Sequence, residues 1–135
     1  MAFEKALPGY ETTVVTRNEM TDDALKTLKD RLTAIVVSFG GEIVEIEDWG
    51  KKRLAFPIKK ETRGQYTYLA YTGKPGVVAE LERNLRIHEH VLRYLTVNLD
   101  AEFDAGAFRT ERAALKTRRE EAVRAAAEYE SGYDA

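Results

Sequence analysis

Apolar and polar positions along this chain follow two different periods, and the switches between them outline six elements. Tyr10 to Thr16 (YETTVVT) is β-branched and aromatic, which predicts a first strand behind a short extension, residues 1–9, that Pro8 and Gly9 close. Thr21 is an N-cap candidate, and Asp22 and Asp23 favour the positive end of a helix dipole. Leu25, Leu28, Leu32, Ile35, Val36 and Phe39 then recur at steps of three and four, one apolar face of a helix that Gly40 and Gly41 stop. Glu42 to Asp48 and Arg53 to Ile58 read as one strand, continued or bent at Gly50. Pro57, which lacks an N–H, places that strand near a sheet edge or where no bond is needed, and an edge is open to a partner chain.

Gly64 to Tyr71 (GQYTYLAY) alternates strictly, with Tyr66, Tyr68 and Ala70 on one face and Gln65, Thr67, Leu69 and Tyr71 on the other. Gly73, Pro75 and Gly76 mark a turn, with Pro75 suited to the first turn of a helix. Val77 or Val78, Leu81 and Leu85 give a second amphipathic helix ending near Arg86 to His90, and Val91 to Leu99 is the last strand. The order strand, helix, strand, strand, helix, strand predicts an α+β fold, the ferredoxin-like split βαβ (βαββαβ). Its four-stranded antiparallel sheet carries both helices on one face and leaves the other open. That domain occupies residues 10–100. Residues 101–135 are mostly Ala, Glu and Arg with scattered Phe103, Phe108, Leu115 and Val123, too few apolar residues for a core; high helix propensity from Thr110 to Tyr129 predicts a solvated helix or a tail ordered by binding.

A chain of 135 residues is long enough for one core of this kind. Without cysteine it has no disulfide framework, thiolate metal site or cysteine nucleophile, and without a long uncharged apolar run it offers no membrane span, so the expected setting is cytoplasmic. A formal net charge of −2 carries no nucleic-acid signal, but the distribution does. Lys51, Lys52, Arg53, Lys59, Lys60 and Arg63 surround the apolar centre Leu54 to Ile58 and meet only Glu61, whereas Glu42 to Asp48 is acidic. Such a strand suits contact with a polyanion at its ends; its other reading is a buried strand with solvated flanks. In an extended chain Lys51 and Arg53 share a face and Lys52 opposes it.

Trp49, Phe56, Tyr66 and Tyr68 are the aromatic candidates for partner contact or base stacking. Arg63, Gly64, Tyr66, Tyr68, Leu69 and Tyr71 approach the octapeptide of the RNA-recognition motif, although Gln65 is inserted and Thr67 stands where Gly or Ala belongs. Packing against a partner protein on the open face is the favoured reading of the two tyrosines. His88 and His90 flank Glu89 but lack a third ligand, so they read as surface histidines and no metal is expected. Arg86 and Arg93 are either salt-bridge partners of Glu82 and Glu89 or members of the basic patch. No nucleophile with a base, phosphate-cradling glycine loop or motif-like carboxylate pair is present, so neither catalytic residues nor a cofactor nor a small-molecule substrate is expected.

The segments Tyr10-Glu11, Trp49 to Lys60 (WGKKRLAFPIKK), Gly64-Gln65-Tyr66 and Leu85 to Tyr94 (LRIHEHVLRY), in this order, resemble the bacterial small-ribosomal-subunit protein six family over roughly residues 10–100. The resemblance implies a ferredoxin-like structural protein of the ribosome that binds the central domain of 16S ribosomal RNA. It also implies a heterodimer with ribosomal protein eighteen. Carried onto this sequence, Lys51, Lys52, Arg53, Lys59, Lys60, Arg86 and Arg93 become candidates for RNA or partner contact. The extension and the tail depart from the family pattern. Two other readings stay open on the residues alone: a stand-alone single-strand RNA binder using Tyr66 and Tyr68, and a protein-interaction module using the exposed edge strand.

Overall fold

The computed structural model describes residues 7–133, with side chains described to residue 126. Most of the expected extension, residues 1–6, lies outside the described residues. The elements run β1 Gly9–Arg17, α1 Asp22–Ser38, β2 Ile43–Ile58, β3 Glu61–Thr72, α2 Val77–Ile87, β4 Val91–Asp100 and α3 Ala105–Tyr133. The chain divides between Phe103 and Asp104 into two compact units. In the first, four antiparallel strands lie in the order β2-β3-β1-β4, the ferredoxin-like arrangement expected from the pattern.

One sheet face is sealed by the two helices. Leu25, Leu28, Leu32 and Val36 of α1 and Val77, Leu81 and Leu85 of α2 meet Val14, Leu69, Tyr71 and Val91 of the sheet in the main core. Inside it the Tyr71 hydroxyl bonds Thr12 Oγ1 at 2.8 Å, and Thr12 Oγ1 lies 2.8 Å from Thr96 Oγ1, so a buried polar group is satisfied where an apolar ring fills the layer. Burial pushes the Tyr71 phenol pKa up.

The helix ends follow local chemistry. Thr21 caps α1 by accepting from the Ala24 N–H at 3.2 Å. At the other end Gly40 takes φ +73°, its N–H bonds the Val37 carbonyl at 2.9 Å, and the Gly41 N–H bonds the Val36 carbonyl at 3.1 Å, which is a Schellman stop. Pro75 departs from expectation: α2 begins at Val77, and Gly76 at φ +100° is its N-cap. Of the two readings at Gly50, continued or bent, the structure has one continuous strand, with an irregular register between Asp48 and Gly50, where Gly50 takes φ +83° and Trp49 is extra. As the edge position allows, Pro57 lies in β2, on the rim of the sheet.

Gly41 has a second constraint, because a Cβ there would lie 1.8 Å from the Thr72 carbonyl oxygen and 2.9 Å from the Gly73 Cα, both backbone atoms that cannot turn away. Gly41→Ala is therefore expected to cost about 2–3 kcal/mol by overpacking, read as a lower urea midpoint with an unchanged slope.

Candidate nucleic-acid and partner interface

Directly paired residues share a sheet face, so the register assigns every cation of the basic stretch. Lys51 pairs with Gln65 and Arg53 with Arg63, on the face to which Leu69 and Tyr71 also point. Lys52 pairs with Gly64 and joins Tyr66 and Tyr68 on the open face. The alternation expected along the strand is thus realised, and the cluster is split between two faces. Lys59 and Lys60 form the two-residue turn closing β2 and β3, with Ile58 opposite Glu61. Both adopt left-handed backbone, φ 49° and 67°, as a primed hairpin turn requires, yet that conformation costs a residue with a Cβ about 1–2 kcal/mol and normally selects Asn or Gly.

Two locally unfavourable features therefore occupy one arm, since Arg53 opposite Arg63 is also a repulsive cross-strand pair. Lys51, Lys52, Arg53, Lys60 and Arg63 are all exposed, and none makes an ion pair among the described residues. The nearby Glu61 is engaged elsewhere, accepting from Arg17 Nη1 at 2.9 Å. The arm presents positive charge with no internal counterion.

Beyond Arg53 the strand leaves register with β3, and Leu54 and Ile58 fold onto Val15, Leu92 and Tyr66, a small second core on the open face. Lys59 reaches across to the Val91 carbonyl on β4 at 3.4 Å. Between this end of the arm and β4 lies a cleft of about 240 Å³ lined by Thr13, Val15, Phe56, Tyr66, Arg93 and Leu95, among others. Phe56 is 58% exposed and Leu95 59%, with Val97 two residues further along the same face. Arg93 is brought beside the arm in this way. Arg86 is not; it ends α2 on the helix side, its Nε 3.4 Å from the Tyr94 hydroxyl.

The other half of the open face is closed by its own side chains. Trp49 stacks on Tyr68 with ring centroids 5.1 Å apart and planes 10° from parallel. The Tyr68 hydroxyl donates to Glu11 Oε2 at 2.6 Å, and the indole N–H donates to Glu47 Oε2 at 2.7 Å. Lys52 Nζ sits 5.6 Å from both the Trp49 and the Tyr66 centroids. Tyr68 is only 3% exposed, so a base could stack on it only by displacing Trp49, whereas Tyr66 is half-buried. The roles of Glu11, Glu47, Leu95 and Val97 were missing from the reading of the sequence. Leu95 and Val97 had a signal in the period-two run of Val91 to Leu99, which sets them on the face of Arg93; the two glutamates had none.

The family model described as Ribosomal protein S6 matches residues 9–98, two thirds of the chain. The chain belongs to the ribosomal protein S6 family. Small ribosomal subunit protein bS6 of Geobacter sulfurreducens is 46% identical to it over 98 residues, covering 73% of this chain and 84% of that protein. The bS6 protein of Geobacter metallireducens is 42% identical over 98 residues, covering 73% and 83%. The crystal structure of 30S ribosomal protein S6 from Thermotoga maritima shares the fold, with a TM-score of 0.64 at 22% identity over 83% of this chain and 98% of that one. The family match contains the whole basic arm and both halves of the open face, and it ends before α3.

At the α2–β4 turn the His88 and His90 rings lie 5.7 Å apart, and His88 Nδ1 accepts from the His90 N–H at 3.2 Å. No group of three metal-binding side chains occurs among the described residues. Burial, then the neighbouring His90 and Arg31, hold His88 below the ordinary histidine pKa against a weaker opposite pull from Glu89. The unfolded chain takes up a proton near pH 6.5 and the folded chain only at lower pH. Stability contributed here is present above that value and declines as pH falls through the interval. His88→Gln is expected to flatten the fall in urea midpoint between about pH 6.5 and pH 5.

Proposed function

We propose that this chain binds the central domain of 16S ribosomal RNA through its basic arm and pairs with ribosomal protein eighteen through the apolar half of its open sheet face. As a member of the ribosomal protein S6 family it is a structural protein of the small ribosomal subunit, working in translation in the bacterial cytoplasm and not as an enzyme. The observation that carries the RNA assignment is the facing pair Arg53 and Arg63 beside Lys51 and the strained Lys59–Lys60 turn. Folding concentrates charge there at a cost to itself, and phosphates would relieve it with release of their counterions.

The protein partner is supported by Phe56, Leu95 and Val97, exposed on one face around a cleft that a few side chains would fill. A stand-alone single-strand binder stacking bases on Tyr66 and Tyr68 is disfavoured, because Trp49 already occupies the Tyr68 ring. The mechanism is one of presentation. A preformed cationic arm on a rigid sheet neutralises phosphates at an RNA junction, and the open face adds a second protein without making or breaking bonds.

Lys51→Gln with Arg53→Gln is expected to lower the slope of log affinity against log salt by about 1.5, in titrations against central-domain RNA with ribosomal protein eighteen present. Removing Arg53 also removes its repulsion with Arg63, so the variant should be as stable as the wild type or slightly more so. A variant that loses stability yet keeps the full salt slope would make these cations structural and remove them from the RNA interface.

A further inference from the structure

The cationic row of the arm is bounded by an acid at each end. On β3, Glu61 stands two residues before Arg63 and so shares its face. On β2, Asp48 pairs with Thr67 and Lys51 with Gln65, which makes Asp48 and Lys51 neighbours on that same face. Positions two apart on a strand are separated by about 6.6 Å, within reach of long side chains of opposite charge. Both carboxylates therefore have cations of the arm available as counterions.

Neither takes them. Glu61 Oε1 accepts from Arg17 Nη1 at 2.9 Å, and Asp48 Oδ2 accepts from Lys29 Nζ at 2.6 Å. Arg17 is the last residue of β1 and Lys29 belongs to α1, so both acids are held by cations brought from outside the arm. Arg17 is itself fixed, its Nε donating to the Glu89 carbonyl at 3.3 Å and its backbone N–H to the His90 carbonyl at 2.9 Å. Glu61 is thereby tied to the α2–β4 turn, much as Lys59 is tied to the Val91 carbonyl. Stability alone is a weak reason for such pairs, because ion pairs near the surface contribute little to it.

We infer that Arg17 and Lys29 are positioning residues for the RNA contact, which hold Glu61 and Asp48 away from Lys51, Arg53 and Arg63 so that the arm meets phosphate with its charge uncompensated. The inference rests on the reading of the arm as the RNA-binding element, and it names what keeps that element charged. A carboxylate released beside the arm acts as an internal counterion. Phosphate must then displace it, and fewer bound ions are released on association. Neither guard needs to touch RNA; each acts through the acid that it holds.

The test is a pair of double-mutant cycles on the full chain with ribosomal protein eighteen and central-domain RNA. Arg17→Gln should lower the log–log salt slope by about 0.9, the equivalent of one phosphate contact, and weaken binding about fivefold to tenfold at moderate salt. The same substitution added to Glu61→Gln should leave slope and affinity where Glu61→Gln alone puts them. Lys29→Gln should behave likewise, with a loss while Asp48 is present and none in Asp48→Asn. A merely structural pair would shift the urea midpoint and leave the salt slope alone.

Equal losses with and without the acid overturn the inference, since the cation then meets phosphate itself or acts through net charge. Unchanged slopes in Arg17→Gln and Lys29→Gln, with a reduced slope in Lys51→Gln/Arg53→Gln, also overturn it and leave the arm standing. An unchanged slope in Lys51→Gln/Arg53→Gln removes the arm, and the guards with it. If Arg17→Gln lowers the urea midpoint too far for the complex to be measured, the cycle at Lys29 and Asp48 decides the matter alone.

Discussion

Everything in the first unit depends on one constraint, that β3 must satisfy two media at once. Leu69 and Tyr71 are fully buried under α1 and α2, while Tyr68 and the flanking Tyr66, the alternate residues, point to the opposite face of the sheet. A shift of one residue in register would exchange the two sets, putting the tyrosine pair into the helix layer and Leu69 into solvent. Because β1 pairs with β3 along nearly its whole length and β2 with most of it, this alternation propagates outward. It sends Lys51 and Arg53 one way and Lys52 the other.

The open face is then solved in two unlike ways. Around Trp49 the protein covers itself, with an indole stacked on Tyr68, two glutamates bonding their polar tips and a lysine over the rings. Around Phe56, Leu95 and Val97 it does not, and apolar surface stays exposed beside a cleft. A face finished on one side and unfinished on the other is what the proposed protein partner requires, and the Trp49 half bounds the proposed place. The arm carries the complementary feature, charge accumulated at the hairpin against local preference, so an exposed apolar surface and a cationic one meet where Leu54 to Ile58 crosses toward β4.

Most of the fold was legible because it rests on periodicity: steps of three and four in α1, strict alternation in β3, and glycines at a helix stop. Pro57 marked an edge for a local reason, the missing N–H. What was illegible depended on contacts distant in sequence. Trp49 covering Tyr68 follows from the irregular register near Gly50, which brings together residues that composition cannot pair. The Lys59–Lys60 turn was hidden because its backbone is of the kind that Asn or Gly usually announces. The basic candidates were found as a group, but only the register divides them, gathering Lys51, Arg53 and Arg63 on one face, setting Lys52 on the other and leaving Arg86 on α2.

The central claim is a division of labour between a cationic arm for RNA and an apolar half-face for protein. Ultraviolet cross-linking followed by peptide mapping, on the complex of this chain with ribosomal protein eighteen and central-domain RNA, tests it most directly. The account predicts RNA adducts on residues 51–53 and 59–63, and cross-links to ribosomal protein eighteen around Phe56, Leu95 and Val97. RNA adducts on Leu95 and Val97, with residues 51–63 unmodified, would contradict it.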